Sequence, residues 1–145
     1  MLRFHDVTSG AVYLQGSDIR NLTQNDLRSH ISYVPQKAWL FSGTIRSNLL
    51  YGNENATEEE LQKALRIAQS DFVSGLPAGM DSPIAQGGTN FSGGQKQRLS
   101  IARALVKKAD LYIFDDSFSA LDFKTDAALR RALAYETQYS AVLII

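Results

Sequence analysis

At 145 residues, with 44% hydrophobic and 21% charged side chains, the chain has the size and composition of one globular domain and not of a disordered tail. Fifteen Lys and Arg balance fifteen Asp and Glu, so no net field favours nucleic acid or an anionic membrane, and the lack of cysteine removes disulfides and thiolate metal sites. No apolar run approaches the roughly 20 residues that span a bilayer, and the opening MLRFHDVTSG lacks the apolar core of a signal peptide, so a soluble intracellular domain is expected.

The first predicted strand, Ala11–Leu14, is short and followed by Gly16. Thr23 and Asp26 then give a weak helix-start signal before Leu27, and Ile31–Val34 reads as a strand stopped by Pro35. In NATEEELQKALRIAQSDF, Thr57 and Glu60 have capping-box spacing, and Leu61, Ala64, Leu65, Ala68 and Phe72 keep a 3.6-residue period. Gly75, Gly79, Gly87-Gly88 and Gly93-Gly94 mark turns. The run GQKQRLSIARALVK (94–107) predicts a helix with Leu99, Ala102, Leu105 and Val106 on one face and basic residues on the other. Leu111–Phe114 follows as a strand. A helix from Lys124 to Tyr135 carries Ala127, Ala128, Leu129, Ala132 and Leu133 on its apolar side, and Ala141–Ile145 is a last strand. The strands at 31–34, 111–114 and 141–145 are solidly apolar, the pattern of strands buried on both faces of a parallel sheet. Strands at both ends and helices between them predict an α/β core with a helical insertion.

Two features carry chemistry. Asp115 and Asp116 stand at the C-terminal end of a buried strand, where α/β proteins place ligands and where a carboxylate can serve Mg²⁺ through water. An Asp there also suits a turn or a helix N-cap. Ser92-Gly93-Gly94-Gln95 opens a helix whose free N–H groups and dipole favour an anion such as a terminal phosphate. An ordinary serine N-cap explains that tetrad equally well.

Together the pieces are far more specific. NFSGGQKQRLSIARAL, then KKAD, LYIFDD and SALD, resemble the ATP-binding cassette (ABC) family of ATPases over essentially the whole chain. Residues 90–95 resemble its signature, with Phe91 where Leu is usual; 111–116 resemble its Walker B strand, and Ser119-Ala120-Leu121-Asp122 its D-loop. Tyr33-Val34-Pro35-Gln36 resembles the Q-loop, and FSGTIRSNLLYG (41–52) the segment that follows it in exporters. The resemblance implies a partial P-loop NTPase (RecA-like) core from 1–40 and 108–145, with a helical signature subdomain over 41–107. It implies ATP and Mg²⁺ as cofactors, with Asp115 and Gln36 on the metal side. Ser92, Gly93, Gly94 and Gln95 would contact nucleotide held by a second nucleotide-binding domain, and Ser119 to Asp122 would lie at that dimer interface. Residues 82–90 would touch transmembrane domains at the cytoplasmic face of the membrane; Gln86 replaces the acid common there.

Two departures bear on function. No G-x-x-x-x-G-K-[ST] occurs, so the phosphate-cradling P-loop is missing, and no histidine matches the family's switch position. The opening resembles the stretch just after that loop, so a fragment cut at both ends is expected, inactive by itself. Asp116 also stands where efficient members carry Glu as general base. One methylene less withdraws the carboxylate by about a bond length, and a misplacement near 1 Å costs about 10²-fold. With an intact signature beside it, this implies the degenerate half of a heterodimeric exporter. A translation or DNA-repair ABC ATPase, or a catalytically silent cassette, is the alternative; no heptads support the repair type.

Overall fold

The computed structural model describes residues 2–145. In chain order its elements are β1 (Tyr13–Leu14), β2 (Ser17–Asp18), α1 (Gln24–Ser29), β3 (Ile31–Val34), β4 (Gly43–Thr44), α2 (Ile45–Leu50), α3 (Glu58–Ile67), β5 (Pro83–Ile84), α4 (Gly93–Val106), β6 (Leu111–Phe114), α5 (Phe123–Glu136) and β7 (Ala141–Ile144). Short 3₁₀ turns fill Ile19–Asn21, Asp71–Gly75, Gly79–Asp81 and Gln86–Gly88.

The main sheet is parallel in the order β3-β6-β7, with Ile31 opposite Leu111 and Leu111 opposite Ala141. Its residues alternate between two cores. Val34, Tyr112 and Phe114 join the large core formed with α2, α3, α4 and α5, whereas Ile31, Leu111 and Ile113 pack with Ile19 and Leu27 on the opposite face. Antiparallel pairs β1-β2 and β4-β5 lie outside the main sheet. Among the described residues no helix is long and apolar enough to cross a membrane.

Helix starts follow side-chain chemistry. Thr57 and Glu60 close the expected capping box on α3, and Ser92 and Gln95 close another on α4. Thr44 and Ser47 form a third on α2, a helix the apolar pattern did not predict. Thr23 caps α1 by accepting from Asp26 N–H.

Four expectations are corrected. The strand at 11–14 shrinks to Tyr13–Leu14. The helix after Thr57 ends at Ile67, and Phe72 sits in a separate 3₁₀ turn, because Gln69 takes a left-handed φ of 55° that a helix cannot continue. α4 is not two-faced: Gln97, Ser100, Ile101 and Ala104 are buried along with the predicted apolar positions, since the helix is packed between β3 and α2/α3. β7 is not buried: it is an edge strand with β6 alone beside it, leaving Val142, Leu143 and Ile144 exposed. One close approach requires glycine. A Cβ on Gly52 would lie 2.3 Å from the Arg103 carbonyl oxygen, so the turn after α2 can rest directly on α4.

Candidate functional site

The register of β3 and β6 sets Val34 beside Phe114, so residues 33–36 run out of the sheet next to 115–117. Three side chains tie the two strand ends together, and a fourth anchors α4 beside them. The Tyr33 hydroxyl donates to Asp115 Oδ2 at 2.8 Å, and Gln36 Nε2 donates to Asp116 Oδ2 at 2.9 Å. The Ser117 hydroxyl donates to the Val34 carbonyl at 2.9 Å, and the amide of buried Gln97, from α4, reaches the Pro35 carbonyl at 3.4 Å. Asp115 N–H bonds the Val34 carbonyl and Asp116 N–H the Ile145 carbonyl, each at 3.0 Å. The expected trio of Gln36, Asp115 and Asp116 is therefore assembled at one sheet edge.

Asp116 takes φ 43°, the left-handed region, which Asp enters more readily than most residues because its short side chain can bond locally. The turn directs its exposed carboxylate toward Gln36, while Asp115 is half-buried against Tyr33. Hydrogen bonding to Asp115 favours the neutral phenol and holds the Tyr33 hydroxyl above the ordinary tyrosine range. Tyr33 and Gln97 are the site residues that the sequence did not reveal.

The glycine-rich tetrad begins α4 as predicted. Ser92 N–H donates to Gln95 Oε1 at 2.9 Å, and Gln95 N–H donates to Ser92 Oγ at 3.3 Å. Each side chain thus caps the other residue's backbone N–H in this structure. Gly93 faces open space, but a Cβ on Gly94 would stand 3.0 Å from the Ala120 carbonyl oxygen. That contact joins the tetrad to the 119–122 turn, and the Ser119 hydroxyl continues the chain by donating to the Asp116 carbonyl at 3.1 Å. Leu121 N–H closes the turn on the Phe118 carbonyl at 3.0 Å. Asp122 caps α5, accepting from Thr125 Oγ1 at 2.7 Å and Thr125 N–H at 3.0 Å. Those bonds hold its carboxyl below the usual range.

Phe91 packs 6.1 Å from the Phe72 ring, over which Arg98 lies at 5.1 Å. Arg98 also donates to the Gln69 carbonyl at 2.7 Å and the Gly94 carbonyl at 3.3 Å, fixing the start of α4. After Gln36 the chain exposes Trp39, Phe41 and Tyr51 at 54%, 44% and 65% of their surface. The segment 82–90 turns back beside them: β5 pairs with β4, and Asn90 bonds Ala85 N–H at 3.0 Å and the Pro83 carbonyl at 2.9 Å. Gln86 is exposed there.

The site has two adjacent carboxylates with an amide at one strand end, and among the described residues no group of three acids and histidines could hold a metal alone. Such a donor set suits Mg²⁺, which keeps waters and takes one or two protein carboxylates plus phosphate oxygens.

Comparison with known proteins identifies the family. The family model described as "ABC transporter" matches residues 1–119. An uncharacterized ABC transporter ATP-binding protein of Mycobacterium tuberculosis is 45% identical over 99% of the chain and 25% of its own length. An ATP-dependent lipid A-core flippase of Desulfotalea psychrophila is 41% identical, again over 99% of the chain and 25% of the relative. Among solved structures, a bacterial Atm1-family ABC exporter with ATP bound superposes with a TM-score of 0.90 at 36% identity, covering 99% of this chain and 26% of that one. The chain spans about a quarter of the length of these relatives.

Proposed function

The chain belongs to the ABC transporter family, and from that premise we propose that it is ATPase-domain sequence of an exporter, acting as the degenerate half of a heterodimer. Residues 1–40 and 108–145 belong to the ATPase core and 41–107 to the signature subdomain. ATP is the nucleotide and Mg²⁺ its counter-ion; the ion neutralises phosphate charge, and Asp115 with Gln36 orients its waters. Asp116 stands in the base position. Ser92, Gly93, Gly94 and Gln95 present α4 to nucleotide held by a second nucleotide-binding domain. Ser119, Ala120, Leu121 and Asp122, in contact with Gly94 and Asp116, connect the two sites. Transmembrane domains cover the aromatic patch of Trp39, Phe41 and Tyr51, which puts the assembly on the cytoplasmic face of a membrane. The exporter relatives support this reading.

The observation that carries the asymmetric assignment is the pairing of an intact, well-capped Ser92–Gln95 turn with an Asp at position 116. The test uses a transporter assembled with this cassette. Replacing Ser92 by Arg should lower ATP turnover at least about tenfold by spoiling the partner's site, whereas Asp116→Ala should leave turnover within about twofold. A large loss from Asp116→Ala with little from Ser92→Arg would overturn the assignment.

A further inference from the structure

Among the described residues no acid forms an ion pair with Arg103. Its Nη2 donates to the Trp39 carbonyl at 3.1 Å and to Ser100 Oγ at 3.4 Å, and the guanidinium lies 5.6 Å over the Phe41 ring. Its Nη1 is buried and has no partner. Lys107, one turn further along, donates to the Arg28 carbonyl at 2.6 Å and the Ile31 carbonyl at 2.5 Å. Both cations line a cavity of about 190 Å³ together with Ser32, Tyr33, Tyr51 and Ser100, and no Asp or Glu lines it. Among the described residues neither cation has an ion-pair partner. Burial lowers the pKa of each, as it does for cations without a nearby acid. Arginine keeps its proton regardless, so the charge stays unbalanced in a partly desolvated place.

We propose that this cavity receives the carboxylate of an Asp or Glu on the membrane-domain segment that covers Trp39, Phe41 and Tyr51, with Arg103 and Lys107 supplying the positive charge that it meets. The inference rests on the reading that this aromatic patch meets the transporter's membrane part. Tyr51 belongs to both cavity and patch, and Arg103 bonds Trp39, so the two are continuous. The space suits a carboxylate with a few waters, at about 30 Å³ each, better than a nucleotide. An ion pair ringed by aromatic side chains is also where truncation costs binding most.

The first test follows the Arg103 guanidinium Nε–H resonance of the chain, assigned by its loss in Arg103→Lys, during titration with sodium acetate, sodium phosphate and sodium chloride at matched ionic strength. A saturable shift with acetate, weaker with phosphate and absent with chloride, is expected, and Lys107→Gln should weaken acetate severalfold. Acetate behaving like chloride, or phosphate binding more tightly than acetate, would overturn the proposal. The second test is in the assembled transporter. Arg103→Glu should cut turnover at least tenfold, and Arg in place of one acid of the covering segment should restore it; failure of every such reversal also overturns it. The acetate titration does not depend on ATP turnover, so its failure would leave the ATPase reading standing, and a failed Ser92 test would leave the cavity result standing.

Discussion

At the scale of single residues, Asp116 has the most consequential chemistry. Its carboxylate is exposed and engaged by Gln36 at 2.9 Å, on a backbone at φ 43°. A general base works only within hydrogen-bond reach of the proton it takes, so the missing methylene matters more than the acidity. Asp116→Glu in the assembled transporter is therefore expected to raise turnover, with the rate at this cassette's own site rising by about tenfold to 10²-fold if reach alone limits it. The same change should lower the melting temperature slightly, because Glu is less at ease than Asp in the left-handed region. Unchanged turnover with folding preserved would count against Asp116 as the weak point. The sequence disclosed the two acids, Gln36 and the serine-glycine tetrad because each belongs to a local pattern. It hid Tyr33 and Gln97 because their partners lie 82 and 62 positions away. Such contacts depend on strand register and helix packing, which no local motif encodes.

At the scale of elements, legibility followed how local the stabilising interaction is. The capping box of α3 and the strands at 31–34 and 111–114 emerged as expected, since hydroxyl spacing and apolar runs are written in a few adjacent residues. α2 and the β4-β5 pair were missed. Beyond the Thr44–Ser47 box, they are held by a tertiary bond, Ile45 N–H to the Ser82 carbonyl at 3.2 Å, and by an ion cluster. In that cluster Arg46 of α2 bridges Glu58 at the start of α3 and, at 2.8 Å, Asp81. Arg46 lowers the pKa of Glu58 and Asp81 below their ordinary values of 4.5 and 3.8 and is itself raised. With folded-state values depressed, the stabilisation is fully present above those ordinary values and is lost as pH falls through the folded ones. The melting temperature should thus fall on acidification from pH 4.5, and Arg46→Gln should flatten part of that fall while lowering the melt at pH 7. The acids are solvent-exposed, so molar salt should flatten the profile too. A profile identical for both proteins would remove the cluster from any account of how α2, α3 and the 79–81 turn are held together.

For the whole molecule, the question is whether these 145 residues can hold ATP by themselves. Most phosphate-binding energy in such ATPases comes from a glycine-rich loop and its lysine, and no G-x-x-x-x-G-K-[ST] occurs in the sequence. What remains is arranged otherwise. At the start of α4 the Ser92 and Gln95 side chains each accept from the other residue's backbone N–H, so those two N–H groups are already used. At the other end of the site, Asp115 and Asp116 repel a triphosphate unless a cation intervenes, and neither is joined by a lysine or arginine in an ion pair among the described residues. The signature turn, with Gly93 open and Gly94 backed by Ala120, is suited to touching a phosphate that another surface already holds. A titration of the chain with labelled ATP and Mg²⁺ is accordingly expected to give no micromolar, Mg²⁺-dependent binding. Adding a cassette that carries its own P-loop, with its signature serine replaced by Arg, should produce a ternary complex in which Ser92→Arg of this chain weakens nucleotide retention. Micromolar binding by the chain alone would mean that the two strand-end acids and the α4 turn form a complete site. The division of labour between acids and signature would then have to be abandoned.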